Sequence, residues 1–164
     1  MGPKRVNLEF FVPGLPKGLK RHRTYRTKSG RTIQVDPSKA DKADFLSMAM
    51  AYRPAAPLDG PLAVAIVAVF PRPRSHYRKN GQLRQGAPVW YASAPDWDNV
   101  AKFVSDSLTG VFWQDDRQIA LGMVYAIYGD VPGVAVLIRR PSEEDLQSVL
   151  WALGICRDGK SVGL

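Results

Sequence analysis

Residues 94–120, APDWDNVAKFVSDSLTGVFWQDDRQIA, hold residue types at spacings that could do chemistry. Asp96 and Asp98 flank Trp97, Asp115 and Asp116 are adjacent, and Lys102 lies between the two pairs. The whole chain carries 15 Asp and Glu against 23 Lys and Arg, so a local gathering of carboxylates needs a cause. Taken singly each is ordinary: Asp98 caps a helix, and Asp115-Asp116 turn the chain. A cap needs only one acceptor, however, and the two pairs supply four carboxylates. Brought together they repel one another unless a cation sits among them. Hard carboxylate oxygens with open water positions suit Mg2+ or Mn2+. An ion held in this way neutralises charge on a phosphate and lowers the pKa of bound water, which suits phosphodiester hydrolysis. Lys102 is four residues after Asp98 and four before Asp106, so the three share one helix face. That spacing reads either as an ion-pair ladder or as an ammonium placed to stabilise a developing oxyanion.

Other chemistries have less support. Cys156 is the single cysteine, which excludes an internal disulfide and a thiolate zinc site and suits a reducing compartment. The two histidines, His22 and His76, fall in basic segments away from the aspartates, and no Walker-type phosphate loop is present. No apolar run approaches the roughly 20 residues of a membrane span. The N-terminal MGPKRVNLEFFVPG does not read as a secretory signal, so a cytoplasmic location is expected. The net charge of +8 and the pI near 9.8 point to a polyanionic partner.

The elements that must position these residues follow from the patterning. At 164 residues a single domain, 1–164, is expected, with a tail over 155–164. Residues 6–12 read as a first strand, and 17–35 as a basic loop whose second half is a hairpin around Ser29-Gly30. Residues 36–53 read as a helix with an apolar stripe at Ala43, Leu46, Ala49 and Met50. Val-rich 62–70 reads as a buried central strand. The basic, Pro- and Gly-rich segment 71–95 reads as a structureless functional loop, with Tyr77, Trp90 and Tyr91 as faces for bases. A helix is expected over 98–110, with Asp98 as N-cap and Gly110 as its stop. It advances roughly 1.5 Å per residue, about 18 Å in all, so a strand returning beside it can carry Asp116 back toward Asp96 and Asp98. Residues 117–129 and 133–140 read as strands paired around the GDVPG turn. A last helix is expected over 141–154, with Leu146, Val149, Leu150 and Leu153 on one face.

At this point PDWDNVAKFVSDSLTG followed by FWQDDRQI resembles the RusA family of Holliday junction resolvases. Their pattern is roughly P-D-x-D-N-x-x-K-x-x-x-D-x-L followed by D-D-x-Q-V/I. The likeness is specific over residues 95–119 and looser over 57–77 and FFVPGLPKG, and phage-borne members look closest. The resemblance implies an α+β domain, a mixed or antiparallel sheet with helices packed against it, a homodimer, and Mg2+ use with Mn2+ as substitute. Position by position it makes Asp96, Asp98 and Asp116 metal ligands and Lys102 the catalytic lysine. Asp115 and Asp106 fall on acidic positions less clearly catalytic, and Asp115 is a further candidate ligand. Asn99 is expected to buttress the helix start, and Gln118 to face the site from the strand. Pro95 stands where some members have a basic residue, so DNA contacts are expected elsewhere. The candidates are Lys17, Lys20, Arg21, Arg23, Arg26, Arg72, Arg74, Arg78, Lys79 and Arg84.

The implied activity is metal-dependent hydrolysis of four-way or other branched DNA, leaving 5′-phosphate and 3′-hydroxyl ends, in a bacterial or phage-infected cell. A two-fold dimer can place two symmetric cuts, and the strands after Asp116 and the last helix are its candidate surfaces. The other readings are a nuclease of broader branched-DNA range, a junction-binding module without catalysis, and an RNA-binding adaptor resting on charge and aromatics alone.

Overall fold

Alternation of buried and half-buried side chains along the Val-rich strand defines one packed face and one open face. In a computed structural model that describes residues 7–152, this strand, β4 (Leu62–Pro71), lies inside a four-stranded sheet. Its neighbours are β6 (Gly133–Arg139), antiparallel, and β5 (Ile119–Gly129), parallel. β1 (Asn7–Pro13) pairs antiparallel with β6, giving the order β1-β6-β4-β5. Val64, Ile66, Ala68 and Phe70 of β4 share the packed face with Phe10 and Val12 of β1 and with Val134, Val136 and Ile138 of β6. The result is an α+β domain with a mixed sheet. Cys156, Leu153 and the expected tail over 155–164 lie outside the described residues.

Two helices cover the packed face. α1 (Lys39–Ala49) buries Phe45 and Ala49 and continues as a 3-10 turn from Met50 to Tyr52. The expected stripe is therefore rotated: Phe45 packs in the core, whereas Ala43 is exposed. α2 (Trp97–Leu108) buries Val100, Phe103, Val104, Ser107 and Leu108, the face that the 3.6-residue period predicts. Gly110 ends it with φ at +84°, a conformation costly for any residue with a Cβ.

Two sequence expectations about connection are corrected. β5 and β6 do not pair with each other, because β4 lies between them and bonds to both. β4 and β5 run parallel, which no tight turn can connect; the crossover through α2 supplies the return. Segment 71–95 is also not structureless. Tyr91 donates its backbone N–H to Ala126 (2.9 Å), and Tyr128 donates to Val89 (2.8 Å), so residues 89–91 lie along the outer edge of β5. The Tyr91 ring stacks on Phe70 and meets Tyr128 edge-on. Arg72 ties the two ends together by donating to the Pro88 carbonyl (2.7 Å), and Arg84 donates its backbone N–H to His76 (2.9 Å).

β2 (Arg23–Arg26) and β3 (Thr32–Val35) form the expected hairpin, exposed along its whole length. α3 (Glu143–Ala152) also buries no side chain: Leu146 and Val149 are exposed, and Trp151 is 71% exposed. It is held at its start, where both Asp145 oxygens accept from Arg139 (2.6 Å each). Among the described residues no helix is long and apolar enough to cross a membrane.

Candidate active site

The helix that carries most of the site starts at Trp97, one residue earlier than expected, and this changes which aspartate is the cap. Asp96 holds the N-cap position, with extended backbone (φ −75°, ψ 166°), and its carbonyl accepts from Val100. Asp98, the expected cap, lies in the first turn. An N-cap aspartate ordinarily turns its carboxylate onto the N–H groups of the first turn. Asp96 makes no such bond; its carboxylate accepts from the side chain of Asn99 instead. Asn99 thus buttresses the helix start as expected, and the Asp96 carboxylate is not consumed by capping.

Asp98 accepts from the Lys102 ammonium at 3.0 Å across one helical turn. That ammonium holds the Asp98 carboxyl below its ordinary range. The pair is exposed on both sides, so solvent screening leaves it little weight in folding. Stability is too weak a reason for this pair. Its cation is cheap to release when a phosphate or a metal ion competes for it. Asp106, one turn further on, is engaged by Lys42 of α1 at 3.7 Å.

The second pair of aspartates is placed by the core. Phe112 and Trp113 are fully buried, and Trp113 donates Nε1–H to Thr109 (3.0 Å). Leu58 donates its backbone N–H to the Phe112 carbonyl (2.9 Å). Gln118 completes the clamp: Oε1 accepts from Gln114 and Asp115 N–H (2.8 and 2.9 Å), while Nε2 donates to the Leu58 and Gly60 carbonyls (3.0 Å each). Gln118 therefore does not face the site from a strand. All its hydrogen bonds stitch two loops together. Asp115 caps the 3-10 turn Asp116–Gln118 and accepts two bonds from the Arg117 guanidinium (2.9 and 2.8 Å), which holds its carboxyl well below the usual carboxylate range. Asp116 is exposed and lines a cavity with Lys102 and Asp106.

Lys102 is thus the link between the two halves, bonded to Asp98 and sharing a cavity with Asp116. Among the described residues no group of three or more His, Cys, Asp or Glu stands close enough to hold a metal. The donor chemistry nevertheless fits a hard divalent ion. Asp96 and Asp98 offer carboxylate oxygens side by side at a solvent-facing helix start, and one of them already attracts a cation.

The basic residues divide into engaged and open ones. Lys17 and Lys20 both bond to Asp41 (2.6 and 3.0 Å), and Arg72 is the strut of the 71–95 segment. Arg21, Arg23 and Arg26 are exposed along the hairpin side. Arg74, Arg78, Lys79 and Arg84 line one hollow together with Tyr77. Three residues were not singled out from sequence. Gly18 lies against the site, where a Cβ would come within 2.5 Å of Pro95 Cβ, and Leu19 donates to the Asn99 carbonyl (3.1 Å). The basic segment is thereby pinned to the start of α2; the only sequence signal is a glycine between two lysines. Trp97 is 67% exposed between the two aspartates, on the polar side of the helical wheel, which is the signal that could have found it.

With this geometry in hand, comparison with known proteins is decisive. The family model described as endodeoxyribonuclease RusA matches residues 13–139, most of the chain. The chain belongs to the RusA family. RusA proteins are Holliday-junction-resolving endodeoxyribonucleases, hydrolases that act on DNA, bind branched junctions and depend on a divalent metal. The chain is also similar to the uncharacterized protein YqaN of Bacillus subtilis (strain 168), 28% identical over 139 residues, covering 82% of this chain and 97% of that protein. The RusA match spans three of the four sheet strands, β4, β5 and β6, with both core helices and all four aspartates of the site.

Proposed function

We propose that this RusA protein resolves four-way DNA junctions by hydrolysis at paired phosphodiesters, leaving 5′-phosphate and 3′-hydroxyl ends. The observation that carries the reading is the exposed Asp98–Lys102 pair beside an Asp96 carboxylate that caps nothing, with Asp116 on the same cavity as Lys102. Asp96, Asp98 and Asp116 would hold Mg2+, or Mn2+ in its place. When bound, the ion neutralises phosphate charge and makes water a stronger acid. Lys102, released from Asp98, stabilises charge developing on the phosphate oxygens as a point charge. Asp115 stays with Arg117 and holds the turn. Arg74, Arg78, Lys79 and Arg84 grip the backbone of one arm, with Arg21, Arg23 and Arg26 as further contacts. Lys17, Lys20 and Arg72 support DNA binding by keeping the basic segments in place.

Two symmetric cuts require two sites, so the active species is a homodimer. The exposed apolar side chains of α3 and the exposed Met123 and Tyr125 of β5 support a dimer through these elements. Such a protein works in the cytoplasm, on bacterial or phage DNA. The test incubates the protein with a synthetic four-way junction, a linear duplex and a single strand, each with Mg2+ or with EDTA. Paired, Mg2+-dependent nicks in the junction alone are expected. Tight junction binding without cleavage under any divalent metal would leave a binding module and sink the reading.

A further inference from the structure

The cavity beside Lys102 and Asp116 is larger than a packing defect and has a chemical gradient. It measures about 230 Å3, and its inner wall is formed by Val64, Ile66 and Trp113, all buried. Its other end carries the exposed charges Lys102, Asp106 and Asp116. The gap exists because the facing positions are small: Ala101 and Ser105 on α2 look toward Gly122 on β5. Nothing in the backbone demands that smallness at Gly122. A Cβ there would meet only Ile119 Cγ2, at 3.7 Å.

Ser105 supplies the second observation. A serine inside a helix ordinarily bonds its hydroxyl back to the carbonyl one turn earlier. Ser107 does so to Phe103 (2.6 Å), and Thr109, the residue that caps the end of α2, to Ser105 (2.8 Å). The Ser105 hydroxyl oxygen is buried without any partner. A buried hydroxyl without a partner is unfavourable, and rotation about the Ser105 Cα–Cβ bond can present it to a group seated in the cavity. The volume falls below the roughly 300 Å3 at which pockets for whole small molecules begin, so the occupant is one group of a larger substrate. The occupant must be flat or compact, apolar on its faces and polar at an edge, and attached to an anion that Lys102 can meet.

We propose that this cavity receives one unstacked nucleobase of the junction, adjacent to the phosphate at Lys102, with the Ser105 hydroxyl bonding to its edge. The proposal rests on the nuclease reading above. Extrusion of a base costs least where pairing and stacking are already interrupted, as at the exchange point of a four-way junction. The pocket then discriminates junction from duplex and imposes a base preference at the cut without any contact in a groove.

The test uses 2-aminopurine, placed singly at each nucleotide flanking the exchange point, with protein and EDTA so that no cleavage intervenes. Unstacking brightens this base severalfold, and the wild-type protein is expected to brighten it at one flanking position. Gly122→Val, which fills the cavity, should abolish the brightening while junction affinity is kept; Ser105→Ala, which adds no volume, should reduce it. A wild-type complex that binds the junction without brightening any position would overturn the pocket and leave the nuclease reading intact. Equal brightening by wild type and both variants would do the same, because the base would then be lodging elsewhere. Failure of the wild-type protein to bind the junction at all would overturn both readings.

Discussion

At the scale of single residues, adjacent aspartates do different work. Asp115 accepts from Arg117 and caps a turn, whereas Asp116 is exposed and lines a cavity with Lys102. Asp115→Ala, which removes both the cap and the partner of Arg117, is therefore expected to lower the melting temperature and to leave cleavage within about tenfold of wild type. Asp116→Asn should abolish cleavage while leaving thermal stability unchanged. Melting temperature and single-turnover cleavage, measured side by side, check both; the opposite pattern would exchange the two roles. This division was legible in the sequence only as a preference. The resemblance to the family motif singled out Asp116; what the structure adds is the guanidinium two residues from Asp115, which engages that carboxylate. The cap at Asp96 was misread by two positions because either aspartate satisfies the preference for a short acceptor before a helix. Only the backbone angles decide between them.

At the scale of elements, attachment of the last helix depends on one carboxylate. Asp145 accepts from Arg139 and from the Ser142 N–H (2.7 Å), and these bonds, the guanidinium first, hold its carboxyl well below its ordinary value. A depressed folded-state pKa contributes stability that is fully present above the unfolded value of about 3.9 and is lost as pH falls through the folded one. Protection of α3 amides from hydrogen exchange should therefore be flat from about pH 8 to pH 5 and decline below about pH 4. Asp145→Asn should show low protection already at pH 7; equal protection of α3 in both proteins would remove Asp145 from this role. The elements themselves were largely readable, because α2 carries an unambiguous helical period and β4 an unbroken Val-rich run. Their pairing was not. Consecutive strands joined by a short turn suggest a hairpin, and nothing local reveals that β4 has come between β5 and β6. The order of segment 71–95 was hidden for the same reason: it comes from bonds to β5, far along the chain, and not from any pattern of its own.

At the scale of the whole molecule, the net charge of +8 is unevenly useful. Several cations are engaged inside the protein, while Arg74, Arg78, Lys79 and Arg84 share one hollow. Changing these four to Ala, one at a time, should weaken junction binding alike for all sequences and lower the slope of log affinity against log salt by about one each. Lys17→Ala should alter that slope less, because its ammonium is already bonded to Asp41. Filter binding or fluorescence anisotropy across a salt series checks both; equal slopes for wild type and the Arg78 and Lys79 variants would move the DNA track off this hollow.

The full burial of Phe112 and Trp113 just before the aspartate pair has a consequence for cooperativity. A turn anchored by core side chains cannot open without opening the core, so it belongs to the most protected unit of the protein. The hairpin β2–β3, exposed throughout, belongs to the least protected. The hairpin, proposed above as a DNA contact, can therefore fluctuate and adapt to a branched shape at low cost. The turn carrying Asp116 stays fixed until the whole domain unfolds.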